Sequence, residues 1–171
     1  MPLIKDGRFV ADDWVRPDPE QGDLAGNAAS AKLLLPLAVL NEQGATLADS
    51  RKTLGVEIGN DVDPDALTSW FGRLALISVL FPKSADGRGY SIATRLRRLG
   101  FTGELRASGH LIADQYGLAR SCGFDTVEIS DAQAERQPEA HWIEAEHAMS
   151  LAYQRGYGRF QNILSARWSG G

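Results

Sequence analysis

The chain has 171 residues, 43% hydrophobic and 23% charged, and its 18 Lys and Arg against 22 Asp and Glu leave a net charge of −4. Such a length gives one domain, residues 1–171, with a single core, and the composition excludes a mostly disordered or collagen-like chain. One cysteine cannot close an internal disulfide, no Cys/His spacing resembles a metal motif, and the mildly acidic balance gives no reason to expect nucleic-acid binding.

At the start, Leu3-Ile4-Lys5-Asp6-Gly7-Arg8-Phe9-Val10 places short apolar runs either side of Asp-Gly, which predicts a tight β-hairpin. Residues Arg16 to Asn27 are rich in Pro, Asp and Gly and read as loop, so 1–27 forms a hairpin and a loop. Ala28 to Leu40 has helical propensity but contains Pro36, and the pattern leaves the segment open. Its apolar run, Leu33 to Leu40, is the longest in the chain and too short to span a bilayer. The opening residues Met1 to Asp6 lack a signal-peptide pattern, and a cytoplasmic protein with no membrane contact is expected.

From Leu54 the pattern becomes regular. Apolar runs at Leu54–Ile58, Leu74–Phe81, Glu104–Ser108 and Thr126–Ile129 alternate with segments of helical period. Asp63-Pro64-Asp65 announces the first helix, which carries Leu67, Trp70 and Phe71 inward. The second runs from about Tyr90 to Leu99, with Ile92, Leu96 and Leu99 on one stripe and Arg95 and Arg98 opposite, and Gly100 stops it. The third runs from about Leu111 to Cys122, with Leu111, Leu118, Ala119 and Cys122 on one side and Gly123 as terminator. The fold class is therefore α/β, a mainly parallel sheet of about four strands with crossover helices, residues 54–130 forming its core. An open three-layer sheet and a partial β/α barrel both satisfy this order. A C-terminal helical arm, 138–171, starts near Pro138 and keeps Phe160, Ile163, Leu164 and Trp168 at helical spacing, so it packs on this protein or, in a homo-oligomer, on a second copy.

Charge is unevenly placed. Phe81 to His110 holds six basic residues and two acidic ones, so it carries +4 and the remainder −8. A positive region on an acidic body suits a small anion or an acidic partner surface; Arg95 and Arg98 are the partner-binding candidates, and a plain solvated helix face is the alternative.

Ligands of parallel α/β sheets bind beyond the carboxyl ends of strands, where loops and helix N-termini converge. The richest such loop follows the second regular strand and holds Lys83, Asp86, Gly87, Arg88, Gly89 and Ser91. Its glycines allow close backbone approach, Arg88 supplies a planar two-pronged contact and Lys83 a less directional charge, which together make an anion pocket. The competing reading has Asp86 capping the helix and pairing with Arg88 while the glycines only turn the chain. His110 follows the third strand and is the candidate for proton transfer, against a histidine that simply meets solvent. His141 and His147 fall on opposite sides of their helix, so no metal site is expected, and Cys122 on an apolar stripe reads as packing rather than a nucleophile. The cofactor is unknown: neither a Walker loop nor a dinucleotide fingerprint is present.

The words Phe81-Pro82, Asp86-Gly87-Arg88-Gly89-Tyr90-Ser91, Leu96-Arg97, Gly103-Glu104-Leu105-Arg106-Ala107, Asp114-Gln115 and Cys122-Gly123-Phe124-Asp125 follow one another along the chain. With Met1-Pro2-Leu3-Ile4 and Gly55-Val56, the sequence resembles a bacterial domain family described as oxidoreductases involved in sulfite reduction. The resemblance implies a role in assimilatory sulfate reduction, members being typically encoded beside sulfite reductase, and it brings no catalytic residues to transfer. Two expectations follow. One is an accessory protein that docks on sulfite reductase or another sulfate-assimilation enzyme. The other is an enzyme or carrier of a small oxyanion, with Arg88 and Lys83 holding the anion and His110 moving a proton.

Overall fold

The computed structural model describes residues 1–17, 32–48 and 52–158. Strands β1 (Leu3–Lys5) and β2 (Arg8–Val10) form the expected hairpin, with Asp6 and Gly7 at φ 49° and 74° in its turn. Both turn positions need positive φ, which is why Asp-Gly suits them. Next come β3 (Lys32–Pro36), helix α1 (Leu37–Ala48), β4 (Thr53–Ile58), a 3-10 helix (Pro64–Trp70) and β5 (Leu74–Phe81). Helix α2 (Arg88–Arg98), β6 (Glu104–Gly109), α3 (Tyr116–Ser121), β7 (Thr126–Glu128), α4 (Asp131–Arg136) and α5 (Glu139–Gly158) complete the chain.

All seven strands form one sheet in the order β2-β1-β7-β6-β5-β4-β3. The sheet is therefore larger than the four strands expected. β3 to β7 pair in parallel, and the hairpin joins antiparallel through β1 on β7, with Ile4 opposite Val127. β3 was hidden in the segment the pattern left open. Leu33, Leu34 and Leu35 are all buried, so the strand has no polar face to reveal its period, and Pro36 closes it just before α1.

Two helices differ from expectation. The segment after Asp63 is a 3-10 helix, started as expected by the Asp63 carboxylate accepting from the Asp65 N–H at 3.1 Å. The third helix begins with a 3-10 turn at Ala113–Gln115, whose three residues per turn shift the phase of everything after it. Leu118, expected inside, is 52% exposed, while Tyr116 is fully buried against Trp142 with ring centroids 5.7 Å apart. The arm's start is the long helix α5; Phe160, Ile163, Leu164 and Trp168 lie outside the described residues.

Spatial order follows sequence order from β3 to β7, so each right-handed crossover steps the same way and its helix falls on the same face. The core bears this out. Leu40 and Leu47 of α1, Leu67 of the 3-10 helix, Ile92, Ala93 and Leu96 of α2, Tyr116 and Ala119 of α3, and Trp142 of α5 share one cluster. The strand residues in that cluster belong to a single face: Leu35, Val56, Ile77 and Leu105 lie in one row, and Val79, Ala107, Val127 and Ile4 in the next. Among the described residues the helices of that core therefore lie on one face of the sheet.

Among the described residues the opposite face carries no helix of that core. Its rows read Leu34, Gly55, Leu76, Glu104; then Glu57, Ser78, Arg106, Thr126; then Leu80, Ser108, Glu128, Leu3. A strap of chain at Ala11–Pro17 crosses it. Val15 is tied to the β3 edge by Val15 N–H to Lys32 O (3.1 Å) and Leu34 N–H to Val15 O (2.9 Å). The Trp14 ring lies over Gly55, where a Cβ would come within 2.9 Å of it.

Candidate functional site

The strand-end loops meet as their parallel strands require. Phe81 is the ladder partner of Gly109, the His110 N–H donates to Phe81 O at 3.0 Å, and Gln115 Nε2 donates to Ser84 O at 2.7 Å. The loop after β5 and the loop after β6 therefore share one rim.

Within that rim Arg88 is closed on its own loop. Its Nη2 donates to Asp86 Oδ2 at 2.7 Å and its Nε to Asp86 Oδ1 at 3.0 Å, while Asp86 also accepts from the Arg88 N–H and from Asn60 Nδ2. The Arg88 guanidinium, then its N–H and Asn60, hold the Asp86 carboxyl well below the usual carboxylate range. Gly89 makes room for packing: a Cβ there would sit 2.3 Å from the Phe81 ring. Gly87 faces open space, and Lys83, Ser91 and His110 are exposed. The capping reading of this loop is the one its hydrogen bonds display.

Farther along α2, Arg95 pairs with Asp65 at 2.8 Å, whereas Arg98 is exposed and has no acid partner among the described residues. Ser91, Arg95 and Arg98 line a small cleft of about 280 Å³ with Tyr90, Thr94 and half-buried Cys122. Among the described residues no three His, Cys, Asp or Glu side chains converge in a way that could hold a metal ion.

The densest chemistry lies elsewhere, on the sheet face under the strap. Arg106, 0% exposed, points from the middle of β6 into a set of carboxylates. Its Nη1 donates to Asp12 Oδ2 (2.7 Å) and Glu128 Oε2 (3.3 Å), and its Nη2 to Asp12 Oδ1 (3.1 Å) and Glu104 Oε1 (3.3 Å). Arg16 reaches in from the strap and donates through Nη2 to Glu57 Oε2 (3.0 Å) and Glu128 Oε2 (2.7 Å). Thr126 donates to Glu104 Oε1 at 2.6 Å. A buried guanidinium is costly unless paired and hydrogen-bonded, and this one has three carboxylates, which raise its pKa against the opposing effect of burial. Two donors remain unused: Arg106 Nε and Ser78 Oγ are buried without a hydrogen-bond partner. Ser78 is the direct ladder partner of Arg106, so these groups are neighbours in one cross-strand row.

Glu57, Ser108 and Glu128 stand at or next to the last residue of their strands, on the face that a closed barrel would turn inward. In β/α barrels that position is where reacting groups are presented. Sequence reasoning placed Arg106 in a strand but gave it no role, because Asp12 is 94 residues away and the contact exists only once the strap crosses the sheet. A signal was available: Glu104, Arg106 and Ser108 alternate on β6, an unusual density of polar groups for a strand central in the sheet.

Fold and site thus define a singly wound α/β protein with a strap-covered, charged sheet face. The chain belongs to DUF934, a family of bacterial proteins of unknown function, which its residues 55–163 match. No curated protein matches the chain. The floor residues Glu57, Ser78, Glu104, Arg106 and Glu128 fall inside the matched stretch, and the strap precedes it.

Proposed function

We propose that the protein is a cytoplasmic accessory protein of assimilatory sulfite reduction, docking on sulfite reductase or a neighbouring enzyme through α2. The pathway rests on the sequence resemblance described above. The docking element rests on one observation: among the described residues Arg98 is exposed with no acid partner beside Arg95, whose ion-pair partner Asp65 is itself exposed and readily exchanged. An acidic patch on the partner would take both guanidiniums, and such contacts govern encounter and specificity more than they govern final affinity.

Co-purification with sulfite reductase at low and high salt tests this. Complex should form at low salt, weaken as salt rises, and weaken about tenfold in Arg98→Glu. Sulfite reduction assayed with and without the protein should register its presence. Absence of a complex at low salt, or a complex indifferent to Arg98→Glu, refutes the reading.

A second reading, binding of a small oxyanion, is supported by the two unused donors on the covered face. It relocates the anion from the loop of Lys83, Arg88 and His110, where Arg88 is already closed on Asp86, to Arg106.

A further inference from the structure

Between the 3-10 turn that opens α3 and the first half of α5 lies a groove of about 800 Å³ that draws no residue from α2 or from the strap. One wall is a single stripe of α5, in which His141, Glu144, Ala145, Ala148 and Met149 recur at intervals of three and four. The other holds Ile112, 38% exposed, with Ala113 and Gly117. These walls are short as well as apolar: a Cβ added at Gly117 would meet only the Met149 Cβ, at 3.9 Å. Such a cleft admits the apolar side of a helix and seats a large ring among small side chains. Its polar lining is exposed, and among the described residues Asp114, Arg136, His141 and Glu144 take part in no ion pair.

The sequence supplies an occupant. Gly158 is the last described residue of α5, and residues 159–171 carry Phe160, Ile163, Leu164 and Trp168 at helical spacing, together with Arg159, Arg167 and no acidic residue. Arg167 stands seven residues after Phe160 and so falls on the same stripe, a cation for a groove that offers Asp114 and Glu144. Lengths agree as well. Ala148 precedes Gly158 by ten residues and Trp168 follows it by ten, about 15 Å along a helix either way, so a helix returning along α5 brings Trp168 level with Ala148 and Met149. The family match runs to residue 163, so the family's shared sequence continues past α5. Because the tail is joined to the groove's own wall, its effective concentration there is on the order of millimolar, which a second copy reaches only in concentrated solution.

We propose that residues 159–171 fold back as a helix antiparallel to α5 and dock in this groove of their own chain. Trp168 is the anchor, seated between Ala148 and Met149 on one wall and Ile112 and Gly117 on the other, and Arg167 is directed to Asp114 and Glu144. The docking does not depend on the sulfite-reduction reading.

The test is a crosslinking rate in the full chain carrying Cys122→Ala. Ser169→Cys, beside the anchor, is paired with Ala148→Cys in the groove and joined by a short bismaleimide. The pair should join within one chain at least about tenfold faster than Ser169→Cys paired with Ser69→Cys on the 3-10 helix between β4 and β5. Trp168→Ala, which leaves both cysteines and their tether in place, should slow the reaction about tenfold, and Arg167→Glu about threefold. The emission lost in Trp168→Phe should be that of a buried indole, and in Ala148→Arg, a change at an exposed position, Trp168 should emit further to the red. Crosslinks that form only between two chains assign the groove to a second copy and overturn the proposal. Equal rates at Ala148 and Ser69, a rate untouched by Trp168→Ala, or a solvent-exposed emission from Trp168 in the wild type overturn it too, since each describes a tail that is tethered but not seated.

Discussion

Asp86 shows how a side chain that reads as a ligand group can be consumed by local structure. Its carboxylate takes the Arg88 guanidinium, the Arg88 N–H and the Asn60 amide, and these hold its pKa below the ordinary 3.8. A carboxyl whose folded pKa is depressed adds stability that is complete above its unfolded value and is lost as pH falls through the folded one. Asp86→Ala is therefore expected to unfold at a lower denaturant concentration than wild type at pH 7. The gap should start to close below the ordinary carboxylate value and vanish only in stronger acid. Denaturant titrations across that range check it; a gap that is constant with pH means that the charge contributes nothing. What was legible at this scale was local. Asp6-Gly7 and Asp63-Pro64 act on their own backbone, and the capping alternative for Asp86 concerns a residue two positions away. The role of Arg106 was not legible, because each carboxylate it meets outside its own strand comes from a distant part of the chain.

Between elements, Arg97 has the most consequential set of bonds. From the last turn of α2 it donates Nε to Gly123 O (3.0 Å), Nη1 to Phe101 O (2.9 Å) and Gly103 O (2.8 Å), and Nη2 to Asp125 Oδ2 (2.6 Å). It thereby joins the end of α2 to the lead-ins of both β6 and β7, and the same Asp125 carboxylate receives the Leu105 N–H at 2.8 Å. Arg97→Ala leaves several carbonyls without donors and should cost on the order of 2 kcal/mol, measured by chemical denaturation. Arg97→Lys should recover less than half of that, because one ammonium cannot reproduce a planar fork aimed at four acceptors on two separate segments; full recovery by lysine would show that only the charge matters. The element pattern was readable wherever one face is polar, as in α2, whose stripe of Ile92 and Leu96 lies inside as expected. It failed where that contrast is missing, in β3 with Leu33 to Leu35 buried on both faces, and where a 3-10 turn moved the helical phase before Leu118.

A sheet wound in one direction gathers its helices on one side, and the other side must be covered by something else or remain wet. Here the strap does part of that covering with a bidentate ion pair, a tryptophan on a glycine and a single bridged residue. No alternation of residues in 11–17 announces this, since the strap is recognised only by the polar rows it lies upon. Among the described residues its backbone hold is two hydrogen bonds at the sheet edge, against the full ladders on both sides of β5. Segments so attached open without global unfolding, and hydrogen exchange resolves them. The Val15 and Leu34 amides should therefore exchange at least about a hundredfold faster than those of Ile77 and Val79 in β5, because their opening needs only the strap to lift. Asp12→Ala, which removes the strap's grip on Arg106, should accelerate Val15 further without changing the ranking of the β5 amides. Equal rates at Val15 and in β5, or acceleration of all of them together by Asp12→Ala, would mean that strap and sheet unfold as one unit. In that case Asp12 could not leave Arg106 while the molecule stays folded.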